Sequence, residues 1–489
     1  MTDGNFNPLL NPLKRYVPLA VWGMVILVLL AIPFKIISYG YLPGDDALRH
    51  TAKAVSGKSW PEILVVNSYF KIDPEFGWNL LLEKNHLWTG ANAESLLIFS
   101  VVFLFLLANW SVLPWLKRPE AWLVALLAAM IVSDLPQRFM LGRPFVLTIT
   151  ALMTVLFASQ HCKPGIKTFA LFTALITAST FGHGVWYLWA LPIAAFFFAG
   201  QFCWTLLFAG AWLAGVVFAA LLTGHPAEYF SQGLGLALHT VRQHATNRTQ
   251  AVELQPFAGD ILAAIILGAL VALRSLAKLD APPFARNPAF WLVCGCWILG
   301  FRVSRFWEDW GWPALMVLIA TEIQFLLLAK FAADSLRRLL LVAVLAIATF
   351  FAVTCDLNNR WTQNLTWAFL TPEVPELAGW MPEPNGILYS ADMTIFYQTF
   401  FKNPKGGWRY MTGFEPTLMP AEDFETYHKI HWNFGDAKAY DPWVEKMRPE
   451  DRLVIRGNGS ERPNIPQLEW NYGVSGIWIG RLPRTNSAK

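Results

Sequence analysis

YVPLAVWGMVILVLLAIPFKIISYGYLPGDDALRH, residues 16–50, joins a long apolar run to a short acidic stretch. The apolar run, Tyr16–Phe34, is longer than the apolar part of a secretory signal and lacks a small-residue cleavage site. It is long enough to cross a membrane as a helix. The sequence therefore predicts a membrane span that ends just before two adjacent carboxylates, Asp45 and Asp46.

The composition extends this prediction to the whole chain. Hydrophobic residues make up 55% of the sequence and charged residues 15%, against about 25% charged residues in soluble domains. A net charge of +4 is too small to indicate nucleic-acid binding. The five cysteines form no disulfide framework, because none follows Cys355 in the long polar tail.

Apolar segments predict a polytopic α-helical membrane protein with about eleven transmembrane helices. The predicted spans are Tyr16–Phe34, Ser95–Trp115, Ala121–Ser133, Phe145–Ala158, Phe169–Phe181, Trp186–Gly200, Trp204–Leu222, Phe257–Leu273, Phe290–Phe301, Pro313–Leu328 and Leu339–Thr354. Lysine and arginine are concentrated in alternate loops, which places the N-terminus in the cytoplasm. An odd number of spans then places the C-terminal tail outside. We expect an integral protein of a bacterial inner membrane, with a periplasmic or extracellular tail.

The predicted domains follow from this topology. Residues 1–355 form the membrane domain, with a long first outer loop at 37–94, and residues 356–489 form a small extracytoplasmic α/β domain. In the tail, GILYSADMTIFYQTFF predicts a strand, Ile387–Ser390, followed by a helix, and residues 451–457 and 476–482 predict further strands.

The acidic stretch at 43–50 carries the strongest candidate site. Pro43-Gly44 turns the chain, and Asp45 is suited to cap a helix. On that helix Asp46 shares a face with His50, and Asp45 shares a neighbouring face with Arg49. The helix terminus favours an ionised carboxylate, which suits a general base or a metal ligand. The alternative is a capped amphipathic helix on the membrane surface with two ion pairs.

Further ionisable residues fall at the outer ends of other spans. Asp134 and Arg138 are four residues apart, and burying such groups unpaired is costly. The alternative for Asp134 and Arg138 is an interfacial ion pair. The alternative for the aromatic residues near the other candidates is an aromatic belt at the membrane interface, formed by Trp186, Tyr187, Trp189, Trp307, Trp310 and Trp312. The candidate binding residues are Arg49, Arg138, Arg143, His183, Arg302, Arg305, Glu308 and Asp309. Arginines at this face are suited to bind phosphate.

The architecture resembles that of the type C glycosyltransferases, which are integral membrane enzymes that use polyprenyl-phosphate-linked sugars. PGDDALRH at 43–50 resembles the acidic motif in their first outer loop. RFWEDWGWPA at 305–314 and LGRPFVL at 141–147 resemble segments of bacterial members of uncertain substrate. The acidic pair is Asp-Asp here, not Asp-x-Asp or Asp-Glu. The tail contains LEWNYG at 468–473 and lacks the Trp-Trp-Asp signature of oligosaccharyltransferases.

This resemblance implies an inverting transfer of a sugar from a polyprenyl-phosphate donor to a glycan, lipid or protein acceptor at the outer face. Asp46 or Asp45 would be the general base, and His50 would orient it or contact the acceptor. Arg143, Arg302 or Arg305 would stabilise the phosphate. Any divalent cation would bind Asp45 and Asp46. The alternatives are a non-catalytic lipid-linked glycan carrier or flippase partner, and a polysaccharide polymerase or ligase of different fold.

Overall fold

The computed structural model describes residues 14–132, 135–242, 255–257, 259–278, 281–366, 369–433, 435–457, 461–473 and 476–484. Within these ranges the chain is mostly helical. The α-helices are α1 (Val17–Ile37), α2 (Asp46–Ser56), α3 (Trp60–Ile63), α4 (Phe76–Thr89), α5 (Ala93–Trp110), α6 (Glu120–Val132), α7 (Leu135–Phe139), α8 (Phe145–His161), α9 (Ile166–Gly182), α10 (Ala190–Phe198), α11 (Phe202–Leu222), α12 (Pro226–Arg242), α13 (Ile261–Ala277), α14 (Pro288–Gly300), α15 (Ser304–Phe306), α16 (Trp312–Lys330), α17 (Leu336–Thr354), α18 (Met393–Lys402), α19 (Ala421–Trp432) and α20 (Asp441–Lys446).

A π-helical turn, Trp307–Gly311, lies between α15 and α16. The strands are β1 (Ile387–Tyr389), β2 (Arg409–Tyr410), β3 (Arg452–Arg456), β4 (Glu469–Tyr472) and β5 (Ile477–Arg481). The strands and helix predicted in the tail are therefore confirmed.

Five helical segments in the described part of the chain are long and apolar enough to cross a membrane: Val17–Ile37, Ala93–Trp115, Phe202–Leu222, Ser304–Lys330 and Leu336–Thr354. The other predicted spans overlap shorter apolar helices of 10–17 residues. The chain is an integral membrane protein, and the count of about eleven spans stays a prediction.

The chain forms two compact units. One contains residues 1–40, 101–222 and 252–361, and the other contains 41–100, 223–251 and 362–489. The predicted first outer loop is thus part of the same unit as the C-terminal tail. We call these the helical unit and the sheet unit.

Two features hold the helical unit together. Where α9 packs against α11, a side chain at Gly215 would meet Ile176 at 3.0 Å, so the small residue permits a close helix crossing. Arg338 at the start of α17 binds Glu120 of α6 through two hydrogen bonds of 2.6 and 2.9 Å, and both side chains are buried. Removing either partner would leave a buried charge uncompensated.

The sheet unit is built on a five-stranded sheet in the order β2-β1-β3-β5-β4. Strand β1 runs parallel to β2 and β3, and β5 runs antiparallel to β3 and β4. The core combines side chains from the tail, such as Phe396 and Val454, with Trp60 and Leu64 from the first loop.

Helix α2 corrects one sequence prediction. It does not present an apolar face to a membrane surface, because its apolar residues lie in the core of the sheet unit. Ala47 and Leu48 pack with Leu97 and Phe401, and Ala52 packs beside Trp60. The hydrophobic spacing that predicted a surface helix comes from this packing instead.

Candidate functional site

Helix α2 starts at Asp46, and Asp45 is its N-cap, as predicted. An Asp45 side-chain oxygen lies 3.5 Å from the backbone N–H of Ala47, which donates to it. Gly57 ends the helix with a φ of 67°, a left-handed conformation that glycine adopts at little cost. The two aspartates therefore occupy different positions, one outside the helix and one in its first turn.

Asp46 pairs with Arg49. The Nε of Arg49 donates to Oδ1 of Asp46 at 2.8 Å, and Nη2 lies 3.4 Å from Oε2 of Glu75. The guanidinium also stacks over the ring of Phe414, 3.9 Å from its centroid. Arg49 is 2% exposed. Burial opposes its charged form, but Asp46 and Glu75 outweigh that effect and raise the pKa of the guanidinium above its usual range.

Glu75 is a carboxyl group of this cluster with a strongly perturbed pKa. Burial raises its pKa to about 8, against the opposing effect of Arg49. The negative charge of nearby Asp73 adds to the increase. A carboxyl group that stays protonated near neutral pH is a common feature of functional sites.

His50 belongs to the same cluster through Asn79. Its Nδ1 lies 2.7 Å from Oδ1 of Asn79, whose Nδ2 donates to Asp73 at 2.5 Å. Asp73 also accepts from Nε1 of Trp60 at 2.6 Å. Because Asn79 uses its amide N–H toward Asp73, its carbonyl faces His50, which therefore carries a proton on Nδ1. The predicted pairing of His50 with Asp46 is replaced by this bond to Asn79.

Three residues of this cluster were missed by the sequence reasoning: Asp73, Glu75 and Asn79. They come from the stretch DPEFGWN at 73–79, which places two carboxylates immediately before α4. Asp73 and Glu75 are close together in the sequence, but their contact with α2 depends on packing between segments that are distant in the chain. His50, at 1% exposed, is too deeply buried to be reached from solvent without rearrangement, whereas the Asp46 side chain is 16% exposed.

A second charged cluster lies in the helical unit, on the π-helical turn before α16. Arg138 donates to Glu308 at 2.6 Å and also to Asp309. Arg305 donates to the other oxygen of Asp309 at 3.0 Å. The two acidic residues thus offset the charges of two candidate binding arginines, Arg138 and Arg305, of which Arg305 is a predicted phosphate ligand. A π-helical turn is itself frequent at functional sites.

His183 contacts this cluster. Nη2 of Arg305 lies 3.5 Å from Nε2 of His183, and Oγ1 of Thr148 lies 3.1 Å from its Nδ1. Arginine can only donate, so Nε2 is the acceptor and Nδ1 carries the proton toward Thr148. Among the tryptophans predicted as a belt, Trp310 is 1% exposed and packs edge-on against Trp189 at 5.4 Å. Trp310 is therefore part of the packed core, which corrects its assignment to an interfacial belt.

The two remaining candidate arginines are placed differently. Arg143 lies 5.3 Å from the centroid of the Phe145 ring, which Arg138 also approaches at 4.8 Å. Arg302 is exposed, and its side chain has no ion pair with another residue of the described part. Asp134, predicted as a partner of Arg138, lies outside the described residues.

No arrangement of three or more histidine, cysteine, aspartate or glutamate side chains suited to a metal ion occurs within the ranges that the structure describes. Near Asp46 the oxygen-rich cluster is occupied by Arg49, a cation that already offsets part of the acidic charge. These contacts do not by themselves form a divalent-cation site around Asp45 and Asp46.

No protein-family model matches the sequence, and no curated protein matches it. Among solved structures, the chain is similar to the arabinofuranosyltransferase AftD from Mycobacteria, determined by single-particle cryo-EM. The TM-score is 0.54 and the sequence identity is 14%. The match covers 97% of this chain and 40% of AftD, so the chain spans about two fifths of that protein. The likeness shows the fold alone, and this fold is the one that the resemblance to type C glycosyltransferases implied.

Proposed function

We propose that this protein is a membrane glycosyltransferase that moves a sugar from a polyprenyl-phosphate donor to an acceptor hydroxyl at the outer face, with inversion. Asp46 is the general base of this proposal. The observation that carries it is the position of Asp46 in the first turn of α2, partly exposed and bound to a buried arginine. The fold similarity to an arabinofuranosyltransferase supports a sugar-transfer reaction.

In the proposed reaction, the acceptor hydroxyl oxygen forms a bond to the anomeric carbon while its proton passes to the Asp46 carboxylate. The bond between the anomeric carbon and the phosphate oxygen breaks, and its electron pair leaves with the polyprenyl phosphate. Attack opposite to the leaving group inverts the anomeric centre.

The two charged clusters have different roles in the proposed reaction. In the sheet unit, the ion pair with Arg49 fixes the Asp46 carboxylate in one orientation. In the helical unit, Arg302 is the preferred phosphate ligand, since Arg305 already shares Asp309 with Arg138, and Arg143 is a further candidate. Arginine presents a planar pair of donors that fits phosphate oxygens.

Asn substitutions at the two aspartates test the proposal. Purified protein is incubated with a synthetic polyprenyl-phosphoryl arabinofuranose and a panel of oligosaccharide acceptors, and the product is detected by mass spectrometry. Asp46→Asn should reduce transfer by roughly 100-fold or more. Asp45→Asn is the matched control, because asparagine still caps the helix.

Near wild-type transfer by the Asp46→Asn variant would exclude Asp46 as the base. Donor binding by the wild-type protein without transfer to any acceptor would favour the alternative of a lipid-linked glycan carrier. A binding measurement with the same donor in detergent micelles distinguishes these results from a loss of folding.

A further inference from the structure

Arg49 is shared by two carboxyl groups. Its Nε lies 2.8 Å from Asp46 and its Nη2 lies 3.4 Å from Glu75, and these two nitrogens form one edge of the planar guanidinium. One positive charge therefore faces two acidic side chains. The side chains of Asp46 and Glu75 are 16% and 15% exposed, so solvent screens this arrangement only weakly.

We assign the proton of this cluster to Glu75. Oε2 of Glu75 is buried, and no hydrogen-bond donor in the described part of the chain reaches it. Asp73 accepts from Trp60, from Asn79 and from the backbone N–H of Glu75 at 3.0 Å. Without such donors, ionisation of the buried Glu75 carboxyl group is unfavourable, so Glu75 is the protonated group.

The longer distance from Arg49 to Glu75 agrees with this assignment, because a neutral carboxyl group attracts a guanidinium less than a carboxylate does. Burial also favours the protonated form of Glu75, because it raises the pKa of this group to about 8. The charged and titratable groups that face Glu75 are Arg49, Asp73 and Asp46. Tyr397 of α18 and His50 of α2 face the same cluster through Arg49 and Asn79, respectively.

We propose that Glu75 is a positioning residue for the base: it competes with Asp46 for Arg49, so the charge of Glu75 sets how strongly Arg49 holds Asp46. This inference rests on the proposed function of Asp46. While Glu75 is neutral, the charge of Arg49 acts mainly on Asp46 and weakens it as a proton acceptor. When Glu75 ionises, Arg49 is shared and Asp46 accepts a proton more readily.

The pH dependence of transfer tests this competition. Wild-type transfer should rise about three- to tenfold as the pH is raised through about 8. Glu75→Gln, which stays neutral, should remove this rise while transfer at about pH 6.5 changes less than about threefold. Glu83→Gln is the matched control, since it makes the same change within α4, the helix that follows Glu75, and should keep the wild-type profile.

An infrared measurement makes the inference independent of activity. The wild-type protein should show a protonated carboxyl stretch that titrates away between about pH 6 and about pH 10 and that is absent from Glu75→Gln. Identical transfer profiles for wild type and Glu75→Gln would overturn the inference and leave the proposed function intact. If no preparation transfers sugar, the proposed function fails, and a missing carboxyl band in the wild type would refute the protonation of Glu75 separately.

Discussion

Arg49 and Asp46 form an ion pair of 2.8 Å across one turn of α2, and the arginine is 2% exposed. The aspartate that we propose as the base is therefore also the partner of a buried cation. The roles of Asp45 and Asp46 are therefore not fully separate. Asp45 caps the helix, but Asp46 both accepts a proton in the proposed reaction and compensates Arg49.

Arg49→Lys should destabilise the sheet unit by about 1–3 kcal/mol. Lysine keeps the charge, but it cannot contact Asp46 and Glu75 through one planar edge, and it loses the stacking over Phe414. Thermal unfolding in detergent, followed by tryptophan fluorescence, measures the effect.

Arg456→Lys is the control for this substitution, because Arg456 forms a 2.9 Å pair with Asp392 in the same unit but is 39% exposed. Exposed pairs contribute about 0–1 kcal/mol, so its effect should be small. Equal unfolding temperatures for Arg49→Lys and the wild type would show that the guanidinium geometry does not matter.

How much of the site was predictable depended on how local each interaction is. The N-cap at Asp45 was predictable because Pro43-Gly44 and the spacing after it are adjacent in the chain. The contact of Arg49 with Glu75, which immediately precedes α4, was not predictable, because it is fixed by packing between separate segments. The same limit explains α2: its apolar spacing indicated a buried face but not what covers it, which is partly Phe401 of α18.

Asp309 should be more important for stability than its neighbour Glu308. It binds both Arg138 and Arg305 and its side chain is 7% exposed, whereas that of Glu308 is 33% exposed. Asp309→Ala should cost about 3–5 kcal/mol because it removes the buried carboxylate that Arg138 and Arg305 share. Glu308→Ala is the neighbouring control and should cost less. Unfolding temperatures of the two variants decide the order, and a larger loss for Glu308→Ala would contradict it.

Substitution of the candidate phosphate ligands should weaken donor binding. Arg302→Lys and Arg143→Lys should each lower the affinity for a polyprenyl phosphate about tenfold, since lysine loses the bidentate geometry. Arg305→Lys should reduce both affinity and stability, because Arg305 is bound to Asp309. Arg286→Lys, an exposed arginine of a predicted inner loop, is the control.

Fluorescence titration with a dansylated polyprenyl phosphate in detergent micelles measures these affinities. Unchanged affinity in the Arg302→Lys, Arg143→Lys and Arg305→Lys proteins would place the phosphate elsewhere.

The predicted topology places the C-terminal tail outside and the loop with Lys117 and Arg118 inside, on the basis of the lysine and arginine asymmetry. In a cysteine-free background, Lys438→Cys offers an exposed position in the tail. A membrane-impermeant maleimide should label it in intact cells, whereas Lys117→Cys should react only after permeabilisation. The reverse pattern would overturn the orientation and with it an outer-face reaction.

Glu75 should make the stability of the protein depend on pH in a direction opposite to that of most paired carboxylates. Its ordinary pKa is 4.5, and burial raises the pKa to about 8 in the folded protein. Between these values unfolding releases a proton from Glu75, so its contribution to stability is complete below about pH 4.5 and is lost as the pH rises through about 8.

Glu75→Gln cannot titrate and removes this contribution, whereas Glu83→Gln retains it. The unfolding temperature of the wild type minus that of Glu75→Gln should therefore decrease from about pH 5 to about pH 9, and other titrating groups cancel in this difference. A difference that stays constant over this range would show that Glu75 has the same protonation state in the folded and unfolded chains, and its proposed role beside Arg49 would be wrong.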